Sequence, residues 1–149
     1  MVRCTPSHIL KQNAADMIND LLENRNPFER HFGYELEAWE EDYVRMKVDL
    51  KSFHMNRYDR PHGGVYTSIL DSVMGLSGFM SKSFEGVRGG LTLSCTVNFL
   101  GVPEGDVIIA EGFRTGGGKS IYFAKGHVKD AQGNVLATGT GTFRQRPHT

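Results

Sequence analysis

The chain has 149 residues, of which 39% are apolar and 23% are charged, and these proportions predict one soluble domain, 1–149, with its own core. Basic and acidic side chains balance at 17 each, so no net field favours nucleic acid or an anionic membrane as a partner. No apolar run approaches the roughly 20 residues of a membrane helix, and the early polar residues argue against a signal peptide.

The first half of the chain predicts one helix followed by two strands. Apolar side chains recur at helical spacing over residues 6–24, which indicates an amphipathic helix, and residues 24–27 are interpreted as its stop. Apolar and polar side chains alternate over residues 44–50 and, more weakly, over residues 34–39, as in half-buried strands. The polar, aromatic and proline-bounded residues 52–61 predict a loop.

The second half predicts a long apolar helix and then β structure. The helix covers residues 63–80, and a helix of about 18 residues is nearly 27 Å long. Turns are expected near residues 101–105 and 130–134, and they separate predicted strands at residues 91–99, 107–110, 121–124 and 135–143. Because this helix has too few polar positions for a surface, we expect an α+β fold with a curved antiparallel sheet wrapped around it.

The long helix has one side of small residues and one side of large apolar residues. The small side consists of Gly64, Thr67, Ser68, Asp71, Gly75 and Gly78. Such a surface admits a slim ligand or a second backbone. Asp71 on this side is either a hydrogen-bonded structural acid, or a base or nucleophile whose pKa is raised by burial.

The start of the same helix is a second candidate site. Two glycines, Gly63 and Gly64, leave backbone N–H groups unshielded where a helix attracts anions and developing oxyanions. His62 stands just before them. It either orients the loop and donates to a substrate carbonyl, or makes a structural hydrogen bond at the helix entrance.

These residues together resemble the signature of PaaI-like acyl-CoA thioesterases of the phenylacetate-degradation type, which have the hotdog fold. That signature is an asparagine six residues before a histidine, the sequence His-Gly-Gly, and an aspartate nine residues after the histidine. The matching residues are Asn56, His62-Gly63-Gly64 and Asp71. The resemblance covers about residues 30–145, with an extra N-terminal helix outside it.

The resemblance implies a role for each matching residue. Asp71 is the general base or nucleophile, and the Gly63 N–H polarises the thioester carbonyl. Asn56 positions the water or the carbonyl, and His62 supports the site. Thr92 is a further helper near the attacking water, and Gly64 and Ser68 line the substrate site. Coenzyme A is part of the substrate, so neither a cofactor nor a metal is expected.

The spacing of the two principal residues predicts an oligomer if this mechanism holds. Gly63 and Asp71 are eight residues apart, which is about 12 Å along one helix, so both cannot contact one carbonyl. A second antiparallel copy of the helix would bring Asp71 of one subunit opposite Gly63 of the other. We therefore expect a two-fold homodimer or, as in similar proteins, a homotetramer.

A glycine-rich segment over residues 112–120 superficially resembles a nucleotide phosphate loop. Phe113 stands where that pattern needs a glycine, and strands flank the segment without a following helix. It is interpreted as a connection between strands. Similar proteins have such loops near the phosphates of coenzyme A, so Arg114, Gly118 and Lys119 are candidates for binding them; the alternative is that both cations are simply solvated.

Two other functions remain open from the sequence. A non-catalytic acyl-CoA sensor could use the same fold, although a mid-helix acid such as Asp71 favours hydrolysis. Hydratase or dehydratase chemistry ranks last, because no aspartate is followed about five positions later by a histidine in a shared strand and loop. The two cysteines, Cys4 and Cys95, have no metal-ligand spacing, and they favour a reduced, cytoplasmic protein.

Overall fold

The computed structural model of the chain describes residues 26–79 and 90–145. Two helices, α1 (Pro27–Phe32) and α2 (Gly63–Ser77), and one 3-10 turn (Ser52–His54) are present in these residues. The strands are β1 (Tyr34–Glu40), β2 (Tyr43–Asp49), β3 (Gly90–Phe99), β4 (Val107–Gly117), β5 (Ile121–Asp130) and β6 (Val135–Gln145). The predicted order of two strands, a long helix and four strands is confirmed.

The six strands form one antiparallel sheet that packs against α2. Their order is β1-β2-β4-β5-β6-β3, so β1 and β3 are the two edges. This arrangement confirms the predicted hotdog fold. No helix within the described ranges is long and apolar enough to cross a membrane.

Small residues on the sheet let α2 lie very close to it. Ile69 and Val73 of the helix are fully buried against the sheet. Gly112 in β4 lies directly below the helix backbone, since a Cβ there would come within 2.3 Å of the Val73 carbonyl oxygen. Gly139 in β6 similarly leaves room for Leu70, whose Cδ1 would be 3.3 Å from a Cβ.

Replacing Gly112 with alanine should therefore destabilise the protein. The new methyl group meets backbone atoms of α2, which cannot move aside like a flexible side chain, so we expect a loss of about 1–3 kcal/mol in the free energy of unfolding. Gly118→Ala is the matched control, because no atom lies within 4 Å of its Cβ position. Urea titration of both variants measures this difference, and equal stabilities would show that α2 does not rest on Gly112.

The small side of α2 is covered at its C-terminal end by a side chain of β5. The Gly75 carbonyl accepts a hydrogen bond from the Tyr122 hydroxyl. A Cβ at Gly78 would lie 2.2 Å from the Tyr122 ring. The Tyr122 ring therefore covers the last turn of this side, where Gly78 leaves room for it, whereas Gly64 at the start of the side is exposed.

Helix α1 begins where the sequence predicted a stop. Asn26 is its N-cap and accepts a hydrogen bond from Glu29 N at 2.9 Å, and Pro27 occupies the first position, where its missing N–H costs nothing. Gly33 ends the helix with a left-handed φ of 71°. The predicted helix over 6–24 lies outside the described residues.

Strands β4 and β5 are longer than predicted, because the glycine-rich segment is part of a hairpin. β4 continues to Gly117, and β5 begins at Ile121. Gly117 has a φ of 127°, and its Cβ position is 2.4 Å from Tyr122 Cα, so only glycine fits there. A strand follows rather than a helix, which agrees with the interpretation as a strand connection.

Candidate active site

Helix α2 begins with a turn that leaves one backbone donor free. His62 is the N-cap residue, and its Nδ1 accepts a hydrogen bond from Gly64 N at 2.9 Å. The Gly64 N–H is therefore occupied, and a neutral His62 ring carries its proton on Nε2. Within the described part of the chain the Gly63 N–H has no acceptor, so it is available to an incoming oxygen atom.

The loop before α2 is held closed by its own hydrogen bonds. Met55 and Pro61 form an isolated β-bridge, and Asn56 N donates to Arg60 O at 2.7 Å. Asn56 Oδ1 accepts from Tyr58 N at 2.9 Å and from Arg60 N at 3.3 Å. The side-chain oxygen of Asn56 thus stabilises the loop, and Nδ2 is the atom left to contact a water or a carbonyl oxygen.

Buried His54 anchors this loop, and the sequence analysis missed it. Its Nδ1 accepts from Lys51 N at 2.8 Å, and Nε2 lies 3.0 Å from the Phe32 carbonyl oxygen, to which it donates. The His54 carbonyl in turn accepts from His62 N at 2.9 Å. His54 therefore connects α1 to the start of α2, and no spacing in the sequence indicates these contacts.

Asp71 lies two turns further along α2, and one of its two carboxylate oxygens accepts a hydrogen bond from a described residue. Its Oδ1 accepts a hydrogen bond from Thr92 Oγ1 at 2.7 Å. No cation pairs with Asp71, and no hydrogen bond reaches Oδ2, from any residue that the structure describes. Asp71 is half-buried rather than fully buried, so it is not completely desolvated.

The charge of Asp71 acts on three neighbouring groups, Tyr34, Cys95 and Tyr122. Burial raises the pKa of Tyr34 to about 12; the charges of Glu29 and Asp71 add to this, against a hydrogen bond with Ser68 that lowers it. Burial, and then the charge of Asp71, raises the pKa of the Cys95 thiol. All three groups stay neutral at pH 7, so none of them places a negative charge beside the carboxylate.

Ser68 and the glycine-rich hairpin lie apart from the free donor. The Ser68 hydroxyl donates to Val65 O at 3.1 Å and is hydrogen-bonded to the Tyr34 hydroxyl. Arg114 is folded back on the protein, with NH1 3.5 Å from Asp42 Oδ1 and its guanidinium 5.9 Å from the Tyr122 ring centre.

The hairpin tip, in contrast, faces solvent. Gly118 and Lys119 are exposed, and Lys119 has no ion-pair partner in the ranges that the structure covers. Of the two predicted phosphate-binding cations, only Lys119 is thus free to meet a ligand.

The predicted residues form two groups in one chain. The donor half-site consists of Asn56, His62 and Gly63, and the acid half-site consists of Asp71 and Thr92. About 12 Å of helix separates Gly63 from Asp71. Within one chain, Gly63 and Asp71 are therefore too far apart to act on the same carbonyl group.

Phe99 contacts the donor half-site and was not predicted as a site residue. A Cβ at Gly63 would lie 3.3 Å from both Cε1 and Cζ of the Phe99 ring. Phe99 is the last residue of the edge strand β3, and 57% of it is exposed. The sequence shows Phe99 only as an apolar strand position, because its contact with Gly63 depends on how β3 lies beside α2.

A family model described as the Thioesterase superfamily matches residues 61–137. The matched segment contains Gly63, Asp71 and Thr92, and it extends from the loop before α2 to the start of β6. No curated protein matches the sequence.

Several solved structures have the same fold. The PaaI protein from the phenylacetic acid degradation operon of E. coli superposes with a TM-score of 0.75 at 19% identity, over 97% of this chain and 99% of that chain. A thioesterase from Haemophilus influenzae gives 0.73 at 18% identity, over 84% and 90%. A thioesterase family protein from Silicibacter pomeroyi gives 0.76 at 20% identity, over 90% and 98%. Identities this low establish the fold alone.

Proposed function

This chain belongs to the thioesterase superfamily, and from that premise we propose that it hydrolyses an acyl- or aryl-CoA thioester to the free acid and coenzyme A. The observation that carries the proposal is the pair of half-sites, in which no described residue occupies the N–H of Gly63 or the second carboxylate oxygen of Asp71. The spacing of Asn56, His62 and Asp71 supports a PaaI-like member of the superfamily.

The two half-sites supply what thioester hydrolysis needs. As a base, Asp71 takes a proton from the water whose oxygen attacks the carbonyl carbon. As a nucleophile, Asp71 attacks that carbon itself, and water then hydrolyses the resulting anhydride. In both routes the Gly63 N–H stabilises the negative charge that develops on the carbonyl oxygen. The C–S bond breaks, and the coenzyme A thiolate takes up a proton.

Strand β3 links the two half-sites. Thr92 near its start bonds Asp71, and Phe99 at its end contacts Gly63. A bulge at Leu93 shifts the register with β6, and it brings Thr92 onto the same face as Phe99, the face toward α2. The two ends of one edge strand therefore carry the two halves of the proposed site.

A second copy paired along this edge would complete the site. Suppose that two β3 strands pair antiparallel with Thr96 opposite Thr96. Because Leu93 is the extra residue of the bulge, Thr92 of one strand then stands opposite Phe99 of the other, on the same face. Asp71 of the partner subunit then lies beside Gly63, and two equivalent sites form in a two-fold dimer. In this proposal the dimer forms through strand edges rather than through direct contact of the small-residue sides of α2.

The character of β3 supports such a dimer. Its outer edge has no strand partner among the described residues, and it exposes about half of the surfaces of Leu91, Leu93 and Phe99. A long apolar edge with free backbone groups invites pairing with another chain. A second copy of the strand, paired along this edge, satisfies those backbone groups.

Release of free thiol tests the proposed reaction. Purified protein is incubated with aryl, short-chain and long-chain acyl-CoA thioesters, and free coenzyme A is followed with a chromogenic thiol reagent. We expect enzyme-dependent release from at least one class. Binding of these thioesters without any release would instead support the acyl-CoA sensor and end the hydrolase proposal.

Lys119 is expected to contribute to binding the nucleotide part of the substrate. Lys119→Ala should raise KM for a CoA thioester severalfold, since one charge-assisted contact to a phosphate contributes about 1.5–3 kcal/mol before solvent screening. KM for the N-acetylcysteamine thioester of the same acid, which lacks phosphates, should not change. Lys125→Ala removes another exposed lysine from β5 and serves as the control. Equal changes on both substrates would show that Lys119 does not contact coenzyme A.

A further inference from the structure

Phe99 occupies an unusual position for a large apolar side chain. Its ring rests on the first residue of α2, in contact distance of the Gly63 backbone, while 57% of the residue faces solvent. The ring also packs near Tyr66, three residues further along α2, with 6.3 Å between the ring centres. The phenyl ring thus lies against the first turn of α2, next to the residue that carries the free N–H of the donor half-site.

Gly63 and Phe99 fit each other closely. Even a single methyl group on Gly63 would press against the ring at 3.3 Å, so the absence of a side chain there lets the ring lie against the backbone. A carbonyl oxygen that accepts from the Gly63 N–H brings its attached acyl carbons near this ring. The ring therefore borders the space that the first acyl carbons must enter.

In the proposed dimer the same ring also faces the acid half-site. Pairing of the two β3 edges sets Phe99 opposite Thr92 of the partner subunit, whose hydroxyl holds Asp71 of the partner subunit. Side chains directly opposite on one face of an antiparallel pair have Cβ atoms about 4.5–5.5 Å apart. Phe99 then stands between the donor of one subunit and the acid of the other, where the reacting carbon lies.

We infer that Phe99 is a specificity-determining residue, which forms a flat wall against the acyl carbons next to the thioester carbonyl. This inference rests on the proposed function. A fixed aromatic face close to a backbone leaves a narrow slot, which accepts flat or unbranched acyl groups and excludes those branched at the α-carbon. The substrate class that follows is thioesters whose α-carbon is unbranched rather than α-branched ones.

The test uses two isomeric substrates, butyryl-CoA and isobutyryl-CoA, which differ only in branching at the α-carbon. The wild type should prefer butyryl-CoA. Phe99→Ala should raise the ratio of kcat/KM for isobutyryl-CoA to that for butyryl-CoA by about tenfold, the usual effect of one methyl or methylene group in a pocket. Phe99→Leu should raise the ratio less. Leu100→Ala, which truncates the neighbouring exposed residue, should leave it unchanged.

The ratio separates specificity from a merely structural role. A loss of packing at the start of α2 would lower kcat/KM for both isomers together and would not change their ratio. If Phe99→Ala leaves the ratio unchanged in an active protein, the inference is wrong and the proposed function still stands. If the wild type releases thiol from no thioester, the proposed function fails and the inference fails with it.

Discussion

Replacing Asp71 with asparagine should lower thioester hydrolysis by about 100-fold or more while the fold stays intact. The amide has nearly the shape of the carboxylate, and its oxygen can still accept the 2.7 Å hydrogen bond from Thr92. The variant lacks the negative charge of the carboxylate, which Asp71 needs both as a base and as a nucleophile. Initial rates of thiol release, measured below and above KM, report the loss.

Glu111→Gln is the matched control for Asp71→Asn, because it makes the same chemical change outside the half-sites. Glu111 accepts hydrogen bonds from Tyr43 OH and lies 2.7 Å from His127 Nε2, both on the sheet face away from α2. Its replacement should leave turnover unchanged. A folded Asp71→Asn protein with near-normal turnover would remove Asp71 from the mechanism.

The strands and the central helix were predictable because the apolar residues that face the core recur in the sequence at the period of each element. In β2, Val44, Met46 and Val48 are buried, and Arg45 and Lys47 between them are partly exposed, which is the alternation of a strand covered on one face. The central helix was predictable for the same reason. Its fully buried residues and its opening glycines are visible in the sequence before any contact is known.

The elements that the sequence did not predict correctly are marked by residues that suit two different local structures. An asparagine before a proline ends one helix or begins another, and the deciding hydrogen bond from Glu29 N to Asn26 cannot be seen in the sequence. The true length of β4 was hidden for a similar reason. Glycines such as Gly117 suit both a turn and a strand that must pass close to Tyr122.

Spacing in the sequence predicts candidate site residues but not the residues that surround them. Asn56, His62, Gly63 and Asp71 are recognisable because their separations along the chain are specific. His54 and Phe99, in contrast, reach the site only through tertiary contacts, with the Phe32 carbonyl and with the Gly63 backbone. A residue that acts through a neighbour distant in sequence leaves no periodic signal, so only the structure reveals it.

Two variants of Gly63 separate the role of its N–H from the effect of an added side chain. Gly63→Pro removes the donor, and proline is well tolerated at the first position of a helix. Gly63→Ala is its matched control: it keeps the N–H and adds a Cβ at the same 3.3 Å from the Phe99 ring. The proline variant should therefore lose much more activity than the alanine variant.

The most direct measurement mixes Asp71→Asn subunits with Gly63→Pro subunits and follows thiol release. Each homodimer has two broken sites, whereas a heterodimer has one site with both defects and one with neither. Random exchange makes half of the dimers heterodimeric, so activity should return to about a quarter of the wild-type value. Circular dichroism of each variant and exchange of differently tagged subunits are the controls. If both variants fold and exchange subunits but the mixture stays inactive, the shared site is wrong.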